Sequence, residues 1–140
     1  MNIVGAIVAG LAGTAAMTVL MYLAPMMGLP KMDIIGMLGS MFTSNKGTAT
    51  ILGLVAHFLM GGIFAIIYAL LWSLGIGSPT WLWGLIFGAV HGVVAIVTMP
   101  LMARMHPRPP EMDGGMLTML GQLMGHMVYG LVVALVYAAF

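Results

Sequence analysis

Four long apolar stretches, separated by short segments that hold every charged side chain, constrain this sequence more than any other feature. The stretches run over residues 3–24, 51–73, 81–102 and 116–140. A helix needs about 20 largely apolar residues to cross the hydrocarbon core of a bilayer. The sequence therefore predicts an all-α integral membrane four-helix bundle that forms a single transmembrane domain over residues 1–140.

The scarcity of charge excludes a soluble domain. Only 5% of the residues are charged, against about 25% in soluble proteins, and the mean hydropathy is +1.15. The predicted partner is therefore the lipid bilayer, together with other membrane subunits or further copies of the chain. A net charge of +1 gives no basic surface for nucleic acid. The absence of cysteine excludes disulfides and thiolate chemistry.

The four basic residues all lie in the segments before the second and fourth apolar stretches. Basic loops are retained on the cytoplasmic side of a membrane. The pattern thus predicts cytoplasmic charged loops, with both termini and the uncharged middle connection on the other side. Trp72, Trp81 and Trp83 flank that connection, as in an aromatic belt at a membrane interface. The basic residues are Lys31, Lys46, Arg104 and Arg108.

The first loop is itself apolar at helical spacing over residues 32–42. This pattern predicts a short interfacial helix, and an irregular apolar loop is the alternative. Asp33 and Asp113 lie at equivalent places in the two charged loops. Each suits a helix cap or a first-turn acid. The alternative for both is a gate or proton relay at the mouth of the bundle.

The two halves of the chain match each other in residues and in order. We interpret the match as an internal two-helix duplication, with units at about 1–73 and 79–140, related by a pseudo-two-fold axis along the membrane normal. Chance agreement among small residues is the alternative. The matched pairs are Ala9 with Gly84, Gly13 with Gly88, Asp33 with Asp113, His57 with His126, Gly61 with Gly130, and Tyr68 with Tyr137.

Three histidines lie near the middle of predicted spans, where an ionisable side chain usually marks function. His57 and His126 recur at the same place in the repeat, so they could hold a haem b between two imidazoles. His91 could join them in a three-imidazole metal site suited to zinc or copper. Proton transfer and purely structural hydrogen bonds are the remaining interpretations. The 17 methionines offer soft ligands for Cu(I), or flexible apolar packing.

The opening segment over residues 5–18, followed by residues 28–33, resembles small uncharacterised bacterial inner-membrane proteins of the YagU-like kind. That resemblance implies a multi-pass protein of the bacterial inner membrane and no established activity.

The sequence favours a non-catalytic or haem-carrying subunit of a larger respiratory or electron-transfer assembly. A small metal-ion or proton transporter is the second hypothesis, and a structural or assembly role is the third. No catalytic motif is present, so an enzyme is not predicted.

Overall fold

The computed structural model describes residues 1–108 and 114–140, and within these ranges the chain forms α-helices and no strand. Four of the helices are long and apolar enough to cross a membrane, which confirms the predicted all-α membrane bundle. The helices are α1 (Ile3–Leu23), α2 (Ile34–Ser40), α3 (Lys46–Ser73), α4 (Trp81–Met105) and α5 (Met116–Tyr137), with a 3₁₀ turn at Ala24–Met27.

Two helix ends differ from the prediction, the start of α3 and the end of α4. α3 begins at Lys46 rather than at residue 51, because the Asn45 side chain accepts a hydrogen bond from the Thr48 N–H at 3.0 Å. α4 continues past Pro100 to Met105. A proline within a helix removes one backbone hydrogen bond, so the last turn of α4 is attached less firmly than the rest.

The long helices form a row in the order α3, α1, α5, α4. α1 packs against α3 on one side and α5 on the other, and α5 also packs closely against α4. α3 and α4, both fully described, are not in close backbone contact and meet through side chains. The short helix α2 packs against α3 with Ile35, Met37 and Leu38 buried.

The α1–α3 and α4–α5 hairpins are held by equivalent contacts. A β-carbon added to Gly10 would lie 2.6 Å from the carbonyl oxygen of Gly61 and 2.8 Å from Cβ of Ala65. One added to Gly84 would lie 2.6 Å from the carbonyl oxygen of Gly130 and 2.7 Å from Cβ of Ala134. Small residues at both crossings therefore let the backbones approach closely.

These contacts align Gly84 with Gly10, one residue away from the sequence match to Ala9. In that alignment Gly13 corresponds to Phe87, and Met17 corresponds to His91. Gly13 admits Val133 and Tyr129 of α5 against α1. We call the α1–α5 contact around Gly13 the narrow seam, and the α3–α4 contact around Phe87 the wide seam.

Aromatic rings fill the wide seam near the α3–α4 connection. Trp72 stacks on Phe87 with ring centroids 5.7 Å apart, and Tyr68 meets Phe87 edge-on at 5.2 Å. Trp72 and Tyr68 are consequently buried in the bundle. The expectation that Trp72 belongs to an interfacial belt is wrong, since its ring packs inward, whereas Trp81 at the start of α4 is exposed.

Candidate functional site

A cavity of about 160 Å³ lies inside the bundle, on the side away from the aromatic cluster. All five helices contribute to its wall. It reaches from Tyr129 and Phe64 to Met102 and Met32, so it extends toward the charged loops. Its lining is mainly aliphatic and thioether, with a few polar side chains: Thr14, His57, His91, Thr98, Gln122, His126 and Tyr129.

The three histidines of the spans all line this cavity, one each from α3, α4 and α5. The rings of His91 and His126 are in contact, with centroids 4.6 Å apart and planes at 68°. Phe64 packs on the other side of His91 at 4.1 Å. The closest imidazole pair is therefore His91 with His126, between neighbouring helices, and not the repeat-related pair.

One hydrogen bond determines which nitrogen of His126 carries the proton. Nδ1 lies 2.7 Å from the carbonyl oxygen of Gln122, so it carries the proton and donates it. The Nε2 lone pair is then free for a metal ion or a proton. A backbone carbonyl that orients an imidazole in this way is the usual second partner of a metal-binding histidine. Nδ1 of His91 similarly lies 3.2 Å from the Tyr68 hydroxyl.

His57 is the most isolated of the three imidazoles. Its side chain is 7% exposed, and its buried Nε2 has no hydrogen-bond partner among the described residues. A buried polar group without a partner costs about 1–3 kcal/mol, so an occupant that bonds Nε2 would recover that cost. No three His, Asp or Glu side chains in the described ranges are arranged around a common metal position.

Methionine is concentrated at the cavity. Eight of the 17 methionines line it, although its wall takes only 26 of the 140 residues. Sequence analysis did not predict this concentration, because the eight come from α1, the first loop and α2 to α5, which only the fold brings together. They are Met17, Met21, Met32, Met37, Met60, Met99, Met102 and Met124.

Of the two predicted acids, Asp33 is described and does not line the cavity with the histidines. Asp33 is the N-cap of α2, where its Oδ1 accepts a hydrogen bond from the Gly36 N–H at 2.8 Å. Asp113 lies outside the described residues. The sequence therefore has no carboxylate inside any span, and no described acid lines the cavity.

His106 and Arg108 hold α2 against the end of α4. The backbone N–H of Arg108 donates to His106 Nδ1 at 2.9 Å, so Nε2 carries the proton and donates to the carbonyl of Met37 at 2.9 Å. The Arg108 guanidinium donates to the carbonyl of Ser40 at 2.7 Å. α2 contributes Ile34 and Met37 to the cavity wall, so these bonds fix part of that wall in place.

A second, shallower groove of about 260 Å³ follows the outer face of the wide seam. Its wall comes from α3 and α4 alone. Phe64, His91 and Val94 line both the groove and the inner cavity. These three side chains therefore form the partition between the cavity and the surface that faces lipid.

Together these features define a multi-pass membrane bundle with a histidine-lined and methionine-lined cavity inside its spans. The chain belongs to DUF6789, a family of unknown function, whose match covers residues 1–140. No curated protein and no solved structure matches the chain. The resemblance to YagU-like proteins stays a prediction.

Proposed function

We propose that this protein is a small membrane transporter for a metal ion, with His91 and His126 at the centre of its binding site. The observation that carries the proposal is the convergence of imidazoles from three helices on one cavity within the spans. Polar and ionisable side chains inside a membrane are costly and are generally retained for function. Neutral imidazole also supplies a nitrogen lone pair, and it is the commonest metal ligand in proteins.

The shape of the cavity supports transport rather than storage alone. The cavity extends toward the loops that carry the basic residues, while the aromatic cluster around Phe87 fills the opposite half of the bundle. A transporter with a binding site at mid-membrane exposes that site to one side at a time. In this proposal the charged loops are cytoplasmic, the termini lie outside, and the membrane is a bacterial inner membrane.

The size of the cavity favours a metal ion over haem b. A cavity of about 150 Å³ holds one benzene ring, and this cavity has about 160 Å³. A porphyrin, which has four pyrrole rings, would require α3 and α4 to move apart. A haem held by His57 and His126 in a respiratory or electron-transfer subunit stays a prediction. An absorbance band in the Soret region of the purified protein would favour it.

Metal binding and flux test the transporter directly. We expect the detergent-purified chain to bind one ion per protein in equilibrium dialysis with Zn²⁺ or Cu(I), and proteoliposomes containing it to take up that ion. His91→Ala and His126→Ala should each reduce both signals by at least about tenfold, because each removes a nitrogen ligand. The controls are Leu59→Ala and Val97→Ala, which shorten side chains that are exposed on the lipid face.

Two outcomes would contradict the proposal. Uptake equal to that of empty liposomes for both ions would refute transport. Uptake that is unchanged in both histidine variants, with the protein still folded by size-exclusion chromatography, would refute the site. A flux of protons without metal would instead support the proton-path alternative.

A further inference from the structure

We infer that the transported ion is Cu(I), held by thioether sulfurs of the cavity methionines together with the imidazoles of His91 and His126. This inference rests on the proposed function and specifies its substrate. Soft thioether ligands favour Cu(I) over Zn²⁺ and over the hard cations.

The methionines are not spread evenly through the bundle. Nearly half of them line the cavity, whose wall is less than a fifth of the chain. Several others lie at the surface, where Met26, Met105 and Met116 are all at least 75% exposed. Flexible packing alone would not require this concentration around the cavity, because leucine fills apolar space in a similar volume.

Met17 places a thioether next to the residue that precedes His126. It lies on α1 against α5, and its Sδ is 3.7 Å from the position that a β-carbon on Gly125 would take. Gly125 directly precedes His126, and all three residues line the cavity. In the alignment of the two hairpins Met17 also corresponds to His91. The two halves of the repeat therefore present a sulfur and a nitrogen ligand at matching positions.

The charge of the bound state favours a monovalent ion. Imidazole and thioether are neutral ligands, and no acid lies within a span to compensate the metal. The Born cost of placing an ion in a low-dielectric medium grows with the square of its charge, so Zn²⁺ would cost about four times as much as Cu(I). With neutral ligands the Cu(I) site carries one positive charge, and the zinc site would carry two.

Competition against a Cu(I) chelator under reducing conditions tests the inference on the full-length purified chain. We expect one tightly bound Cu(I), with sulfur scattering visible in copper X-ray absorption spectra. Met17→Leu/Met60→Leu/Met124→Leu should weaken binding by roughly 10–100-fold and remove the sulfur scattering. The matched control is Met26→Leu/Met105→Leu/Met116→Leu, which replaces exposed methionines and should bind as the wild type does.

The outcomes separate this inference from the proposed function. Zinc binding and uptake that depend on His91 and His126, with no Cu(I) binding, would overturn the choice of ion and leave the transporter standing. Cu(I) binding that is equal in the cavity and control triple variants would overturn the role of the thioethers. The absence of any metal binding would overturn both proposals. Met-to-Leu changes nearly conserve volume, so thermal unfolding in detergent should show all variants folded.

Discussion

The narrow and wide seams are the two places where the α1–α3 hairpin meets the α4–α5 hairpin, but they are built from opposite kinds of residue. At the narrow seam Gly13 lets α1 approach α5, and Tyr129 and Val133 fill the contact. At the wide seam the corresponding residue is Phe87, whose ring packs on Tyr68 and Trp72 and keeps α4 away from α3. One seam closes through small residues, and the other is held apart by rings.

This difference accounts for where the cavity lies. Close backbone packing at both seams would leave less room between the four helices, whereas α3 and α4 are not in close backbone contact and meet through aromatic side chains. Near the α3–α4 connection the rings of the cluster fill the gap that they create. Toward the charged loops the gap is bounded by Phe64 and Val94 and remains open as the cavity. The cavity thus lies beside the seam built on Phe87 and not beside the one built on Gly13.

The largest expected effect comes from giving α1 the residue that α4 carries. Gly13→Phe should destabilise the bundle by about 3 kcal/mol, because even a β-carbon at Gly13 would lie 2.8 Å from Cγ2 of Val133 and 3.0 Å from the carbonyl oxygen of Tyr129. Unfolding in detergent followed by circular dichroism measures this change. The control is Gly62→Ala, whose added carbon meets no atom within 4 Å and should gain stability by about 1 kcal/mol.

If Gly13→Phe unfolded at the same denaturant concentration as the wild type, the narrow seam would not depend on close approach. The comparison between the two seams would then have no energetic basis.

The next effect comes from removing the ring that separates α3 and α4. Phe87→Ala should cost about 2 kcal/mol, below the roughly 3–5 kcal/mol usual for a buried aromatic residue, because lipid can fill part of the space. The substitution removes the Phe87 ring, which stacks on Trp72 and meets Tyr68 edge-on. The same unfolding assay measures it. Phe42→Ala, a change at an exposed ring, is the control, and equal midpoints for the two variants would contradict the prediction.

The third test concerns the partition between cavity and lipid. The chain has no cysteine, so Gln122→Cys places a single thiol on the cavity wall, at a residue that is 8% exposed. We expect a small maleimide to label it, and Phe64→Ala to raise the labelling rate by about tenfold, because Phe64 lines both the cavity and the outer groove. Ala69→Cys, in the packed half of the bundle and 1% exposed, should stay unlabelled. Equal rates at the two thiols would show that the halves do not differ.

The smallest effect tests a polar contact that crosses from α5 to α3. The Tyr129 hydroxyl donates to the carbonyl of Gly61 at 2.5 Å in a buried position. Tyr129→Phe should lower the free energy of unfolding by about 1 kcal/mol, as for other interhelical hydrogen bonds in membranes. Tyr22→Phe, which changes an exposed tyrosine of α1, is the control. If Tyr22→Phe lowered the free energy of unfolding by the same amount, the bond between Tyr129 and Gly61 would not stabilise the bundle.

The four spans follow from hydropathy alone, since lipid requires long apolar helices. The register between the halves does not, because neighbouring small residues such as Ala9 and Gly10 satisfy the same pattern and only contacts distinguish them. The sequence also fails to predict that Trp72 is buried, because its position along the chain does not reveal which way its ring faces. The order of the helices depends on Gly13 and Phe87, whose correspondence is invisible without the structural alignment.

The candidate site was predicted in part. Each histidine was identified as an intramembrane group from its position, and the structure places all three at one cavity. The sequence favoured the repeat-related pair His57 and His126, whereas the rings in contact are those of His91 and His126. Symmetry in the sequence says which residues are equivalent and does not say which ones touch. The clustering of methionines from distant segments likewise required the fold.

The proline in α4 has a mechanical consequence. Pro100 has no N–H to donate, so bending the helix there breaks fewer hydrogen bonds than bending it elsewhere. Beyond it, His106 and Arg108 are bonded to the carbonyls of Met37 and Ser40 in α2. Because α2 is also packed against α3, these bonds connect the last turn of α4 to α3 through α2 and limit how far it can swing about Pro100.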